Sequence, residues 1–185
     1  RYQVFNNVRS GFYAEHFTSM GYPSATGIGM DYGGVIIEFI AVKSTVYKTL
    51  SLNNPLQKAA HQYSKIVLDE VQYSGSSTPK FERARYLELY GRKLIFISGT
   101  ASIRGEKTVS EGDPAEQTKV TIQNIEKLYS DELLEKIGDK GLMPVYGHAR
   151  IYIKNRDDFR QIRKIFRSYY GNLPAVYLVA DICRE

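Results

Sequence analysis

The chain has 185 residues, 43% of them hydrophobic, which is enough for one sizeable core. Mean hydropathy is −0.34, and the longest apolar stretch, residues 35–42, is interrupted by Glu38. Nothing approaches the roughly 18 apolar residues of a membrane-crossing helix. A formal charge of +5 favours anionic ligands, but the 25 Lys and Arg are dispersed and no basic run alternates with aromatics, which argues against nucleic acid.

The chain opens on Arg1, with no charged-then-apolar leader behind it, and reads as starting part-way into a longer gene product. One cysteine, Cys183, cannot form an internal disulfide, so a reducing cytoplasm is the expected compartment. In the first half, "YPSATGIGMDYGGVIIEFIAV" predicts a turn-rich segment feeding a buried strand. "SLNNPLQKAAHQY" predicts a loop and a short helix, and "YSGSSTPKF" a flexible connection.

The second half is more legible. Residues 84–90 and 94–98 flank "YGRK" and predict a hairpin turning at Gly91. The strand then runs into the small-residue bend Ser98-Gly99-Thr100-Ala101-Ser102 and a long polar loop. Such a bend is either a tight corner or a floor with room for a ligand. Asp113-Pro114-Ala115-Glu116 announces a helix, with Asp113 as cap, Pro114 at the first helical position, and Thr118, Ile122, Ile125 and Tyr129 as its buried stripe. "HARIYIKN" alternates Ile151 and Ile153 against Arg150, Tyr152 and Lys154, the period-two pattern of a strand.

A second helix places Phe159, Ile162, Phe166 and Tyr169 on one stripe and stops at Gly171-Asn172, with Pro174 beyond. Arg160, Arg163, Lys164 and Arg167 on that helix read as its solvated face. "AVYLVADIC" is apolar on both faces and predicts a central strand. Two strand–helix–strand crossovers then imply an α+β fold: a mixed sheet with parallel neighbours and helices packed on one face.

Chemistry is sparse. His16, His61 and His148 lack metal-pair spacing, the glycines form no phosphate fingerprint, and no nucleophile elbow is present, so neither a metal nor a cofactor is expected. Arg150, mid-strand, is either a surface residue or a carboxylate clamp, since guanidinium binds carboxylate through paired hydrogen bonds. Cys183 shares a face with Asp181 and Tyr177. Gln117 follows in the first turn after the bend, facing a ligand or solvent. The residues alone indicate a soluble α+β domain with an anion pocket.

Several segments together go further. "FISGTASIRGEKTVSEGDPAEQTKVTIQNI", "RIYIKNRDDFRQIRKIF" and "LPAVYLVADICRE", with "RYQVFNNVRSGF", "YPSATGIG", "NNPLQ" and "PKFERA" upstream, resemble the RidA/YjgF-like superfamily and, within it, the chorismatases. The resemblance covers most of the chain. It implies a RidA/YjgF-like, chorismate-mutase-like sheet domain over residues 81–185, preceded by a degenerate RidA-like half over residues 1–80. It further implies hydrolysis of the enolpyruvyl ether of chorismate to pyruvate plus a dihydroxycyclohexadienoate or hydroxybenzoate.

By the same resemblance, Cys183 and Asp181 are catalytic candidates. Gly99, Thr100, Ala101, Ser102, Gln117, Arg150, Arg184 and Arg83 are substrate-binding candidates. The expected partner is a small anionic metabolite, with no membrane or nucleic acid involved and a homo-oligomer, such as a trimer, compatible with the pattern. Chorismatases continue into a further strand carrying an acidic proton donor; the chain ends at Glu185, so the fragment is expected to be inactive alone. The alternative reading, a RidA-type imine deaminase, is opposed by Val176, where that branch carries an arginine after Pro-Ala. A non-catalytic small-molecule-binding protein of the same fold is the remaining alternative.

Overall fold

The computed structural model describes residues 2–16, 21–29, 34–43, 45–64, 78–141 and 143–182. The fold is α+β, with small sheets and short helices. In chain order the elements are α1 (Tyr2–His16), β1 (Thr49–Leu52), β2 (Ala84–Leu89), β3 (Arg92–Ile97), β4 (Ile103–Arg104), β5 (Lys107–Thr108), α2 (Pro114–Lys127), α3 (Asp131–Lys136), β6 (Ala149–Ile153), α4 (Phe159–Tyr170) and β7 (Ala175–Val179). The described strands form three separate sheets, β1-β2-β3, β4-β5 and β6-β7, where the crossover pattern implied one. The chain divides into two compact units: Arg1–Thr26, Ile40–Thr100 and Arg104–Lys107 in the first; Gly27–Phe39, Ala101–Ile103 and Thr108–Glu185 in the second.

The first unit is organised by β2, which pairs antiparallel with β1 on one side and β3 on the other. The hairpin forms as the sequence predicts, closed by Tyr90 and Gly91, both at positive φ (49° and 72°). Two residues in that region make the turn whose twist matches the flanking strands. Ala84, Tyr86 and Leu87 of β2 join Leu52 and Ala60 in the buried core. The short helical turn Ala60–Gln62 lies where "NNPLQKAAHQY" suggested one.

In the second unit the cap of α2 is as the sequence predicts: the Asp113 side chain accepts from the Glu116 amide at 3.0 Å, and Pro114 opens the helix. Its buried residues, however, are Val120, Ile122 and Asn124, with Leu128 buried at its C-cap, so the stripe is rotated from the expected one and takes in a polar side chain. Helix α3 adds Leu133 and Leu134 to the core. Six residues are too few to show helical periodicity in sequence. Strand β6, helix α4 and strand β7 make one crossover, with β6 and β7 parallel from Ala149↔Ala175 to Ile153↔Val179.

Three expectations are corrected. Residues 35–40 form no strand; Val35, Ile36, Phe39 and Ile40 are each at least 73% exposed. An apolar run carries no information on what covers it. Strand β7 has a single strand neighbour and exposes Val176, Leu178 and Val179, so among the described residues it is an edge rather than central. On α4, Tyr169 is exposed and Tyr170 takes its place, packing its ring 5.0 Å from both Phe166 and Tyr146.

Candidate functional site

Every member of the small-residue bend has a structural partner. Ser98 follows β3, its hydroxyl donating to the Glu82 carbonyl and accepting from the Ala25 amide. Gly99 donates to the Thr26 hydroxyl at 2.9 Å, and a Cβ at position 99 would meet the Thr26 methyl at 2.8 Å. Glycine is therefore required there by close approach. That position is a tight corner.

Around this corner in the first unit lies a polar constellation. Gln57 is 7% exposed and donates to the Thr100 hydroxyl at 3.1 Å, while Asn54 donates to the Gln57 carbonyl oxygen at 3.1 Å. Next to Gln57, the carbonyl of Lys58 accepts from Arg83 at 2.6 Å. The Lys58 ammonium pairs with Glu106 at 3.0 Å, and the Ser64 amide also donates to that carboxylate. These contacts, the amide first, hold the Glu106 pKa below its ordinary value.

Arg83 is the unusual member. It is 3% exposed, donates to Lys58 and to the Tyr63 hydroxyl (2.6 Å), and lies over the rings of Tyr63 and Phe81. None of these partners is anionic, and its Nε has no hydrogen-bond partner. Buried charges are ordinarily paired. A guanidinium held by a carbonyl, a phenol and two π faces retains capacity for an anion.

In the second unit, Ala101 and Ser102 are held differently. Ser102, 3% exposed, donates to the Val109 carbonyl at 2.7 Å. Asn124, fully buried on α2, donates to the carbonyls of Ala101 (3.0 Å) and Ile103 (2.9 Å) and so fixes the chain after the bend. Gln117 is half-buried in the first turn of α2, its amide donating to the Asp113 carbonyl. Arg150 is exposed and pairs with Glu38 at 3.6 Å. Asp181 is exposed and accepts the Gly29 amide on its main-chain oxygen at 2.8 Å; a Cβ at Gly29 would strike its side chain. Cys183 and Arg184 lie outside the described residues.

Gly99, Thr100 and Arg83 thus lie in one unit, and Ala101, Ser102 and Gln117 in the other. Asn54, Gln57, Tyr63 and Asn124 are additions that sequence patterns did not single out. Asn124 lies off the expected stripe and the sequence pattern carried no signal for it, whereas for Gln57 the signal was the "NNPLQ" segment itself. Among the described residues no group of three His, Cys, Asp or Glu is placed to hold a metal, and no helix is long and apolar enough to cross a membrane.

Small sheets, short helices and an arginine buried without an ion pair among the described residues define an α+β protein. In both sequence and fold, the chain is similar to the chorismatases. A 3-hydroxybenzoate synthase of Streptomyces hygroscopicus is 32% identical over 172 residues, 89% of this chain and 48% of the relative. A chorismatase of the same organism is 31% identical over 166 residues, 88% of this chain and 46% of the relative. The crystal structure of a chorismatase superposes with a TM-score of 0.75 at 26% identity, covering 100% of this chain and 54% of that one. The chain spans about half the length of the curated relatives it matches. No family model matches it.

Proposed function

We propose that this chain is part of a chorismatase-family enzyme, RidA/YjgF-like in fold, that hydrolyses the enolpyruvyl ether of chorismate. The observation carrying this reading is the likeness of the whole chain to a chorismatase structure, joined to matches with two chorismate-related relatives. Buried Arg83 supplies a reason in this chain's own chemistry.

Chorismate is a dianion whose enol ether is cleaved by adding a proton to the terminal CH₂ carbon. The resulting oxocarbenium ion takes up water, and the hemiketal collapses to pyruvate and the ring alcohol. The enol carbon is weakly basic, so a positioned carboxylic acid is the catalyst of choice. Asp181 and Cys183 are the proposed catalytic residues; by the resemblance, the proton donor is an acidic residue of the further strand. Arg83, Arg150 and Arg184 are the proposed carboxylate ligands. Holding both carboxylates orients the ether toward the acid and contributes the entropic part of catalysis. Gly99, Thr100, Ala101, Ser102 and Gln117 complete the proposed binding set. The ring product is a dihydroxycyclohexadienoate, or a hydroxybenzoate where the ring then loses one water and becomes aromatic.

The test is calorimetric titration of the full-length protein with chorismate, followed by pyruvate release coupled to lactate dehydrogenase. Saturable binding with pyruvate formation supports the proposal. Binding without pyruvate supports a non-catalytic small-molecule-binding protein, and absence of both sinks the reading. The deaminase alternative is tested by imine hydrolysis coupled to an amino-acid oxidase. Val176, its side chain exposed on β7 where that branch needs arginine, speaks against it.

A further inference from the structure

The turn Asn54-Pro55-Leu56-Gln57 ends in a buried glutamine hydrogen-bonded to the small-residue bend. The Gln57 amide donates to the Asn54 carbonyl at 3.1 Å, with Pro55 second in the turn, where the fixed φ of its ring is suited. Gly105 pins the turn from outside: its amide donates to the Leu56 carbonyl at 2.8 Å, and its carbonyl accepts from the Lys58 amide at 2.7 Å. Asn54 and Gln57 are 3% and 7% exposed, whereas Thr100, on the bend, is half-buried.

One fixed donor sets the direction of the side-chain hydrogen bonds. The Leu56 main-chain N–H donates to Asn54 Oδ1 at 2.9 Å, which leaves Nδ2 to serve the next residue in line. Asn54 Nδ2 donates to Gln57 Oε1 at 3.1 Å, so Gln57 Nε2 is the donor to Thr100 Oγ1, also at 3.1 Å. The Thr100 proton is left with a poor acceptor. Gln57 Oε1 lies 3.3 Å away, beyond the ordinary O–H···O range of about 2.5–3.0 Å, and it already serves Asn54. A corner held only for its shape needs no such directed pair, because Ser98 and Gly99 already tie it to Glu82, Ala25 and Thr26.

We infer that Asn54 and Gln57 are positioning residues that fix the Thr100 hydroxyl as a hydrogen-bond donor to a carboxylate of the bound ligand. In the chorismate reading, on which this rests, Thr100 belongs to the binding set; the relay adds what it binds, an anionic oxygen. A carboxylate is a stronger acceptor than an amide oxygen at 3.3 Å and draws the proton from it. The next residue, Lys58, holds Arg83 through its carbonyl at 2.6 Å. One pinned segment therefore positions two members of the proposed binding set.

The test is calorimetric titration of full-length variants with chorismate, each checked for folding by circular dichroism and its urea midpoint. Thr100→Val should weaken binding by about tenfold or more, the worth of a hydrogen bond to a charged group, while Thr100→Ser should bind like the parent. Gln57→Met should also weaken binding in the parent, yet add less than about twofold to Thr100→Val, because it acts through that hydroxyl. Gln57→Glu keeps the acceptor for Asn54 and removes the donor, and it carries the test if Gln57→Met fails to fold. It should bind weakly at about pH 8 and recover toward about pH 5, a gain the parent lacks, as the protonated carboxyl donates in place of the amide. Additive losses, no recovery with pH, or a lowered urea midpoint with unchanged affinity would make the pair structural and overturn the inference, leaving the chorismate reading in place. Absence of chorismate binding by the parent overturns both.

Discussion

Arg83 and Asn124 show how differently two buried polar side chains can be employed. Asn124 is saturated: its amide holds the Ala101 and Ile103 carbonyls. Asn124→Ala should therefore cost stability, about 1–3 kcal/mol for the two hydrogen bonds lost, read as a lowered urea midpoint. Arg83 keeps an unpartnered Nε and forms no ion pair among the described residues. Arg83→Lys retains the charge but not the fork. The expected result is chorismate affinity weakened by about one to two decades, the worth of a bidentate charged contact, with the fold retained by circular dichroism. Unchanged affinity in the calorimeter would reduce Arg83 to a structural role.

At the scale of elements, α2, α4, β7 and the loop before β6 are joined by an aromatic chain. Tyr129 meets Tyr146, Tyr146 meets Tyr170, Phe166 meets both Tyr170 and Tyr177, and Tyr177 meets Phe159. The Tyr146 and Tyr129 hydroxyls are hydrogen-bonded to each other. Burial, reinforced by that bond, raises the Tyr146 pKa, and burial pushes that of Tyr170 up to about 12. Ionisation in the unfolded chain begins near the ordinary tyrosine value of about 10. Because the folded values are higher, the stabilisation is fully present below about pH 10 and is lost as pH rises toward 12. Alkaline titration of near-ultraviolet circular dichroism should show packing lost in that window. Tyr146→Phe removes one ionising group and should move the midpoint upward; an unchanged midpoint would place the alkaline transition elsewhere.

For the molecule as a whole, the segment at residues 35–40 presents Val35, Ile36, Ile37, Phe39 and Ile40 to solvent, each at least 67% exposed. Contiguous exposed apolar surface favours association. Replacing Ile36 and Phe39 with serine should reduce binding of an apolar dye and raise the concentration at which the protein stays monodisperse. The melting temperature should barely move, because side chains 83% exposed contribute little burial. A large fall in melting temperature would show that these residues are covered in solution.

The sequence by itself determined what depends on neighbours a few residues apart. The Tyr90-Gly91 hairpin, the Asp113–Pro114 helix start, the Gly171 helix stop and the β6–α4–β7 crossover follow from turn chemistry, caps and periodicity. Together with the segments similar to chorismatases, these were enough to point to that resemblance. Only the tertiary structure decided which apolar segments are covered, because 35–40 and β7 read as core in a one-dimensional pattern yet are exposed in space. It also decided that Gly99 is dictated by Thr26, 73 residues away, and that Arg83 is buried beside a carbonyl, a phenol and two aromatic faces. Burial and charge pairing are properties of residues brought together across long sequence separations, and no local pattern encodes them.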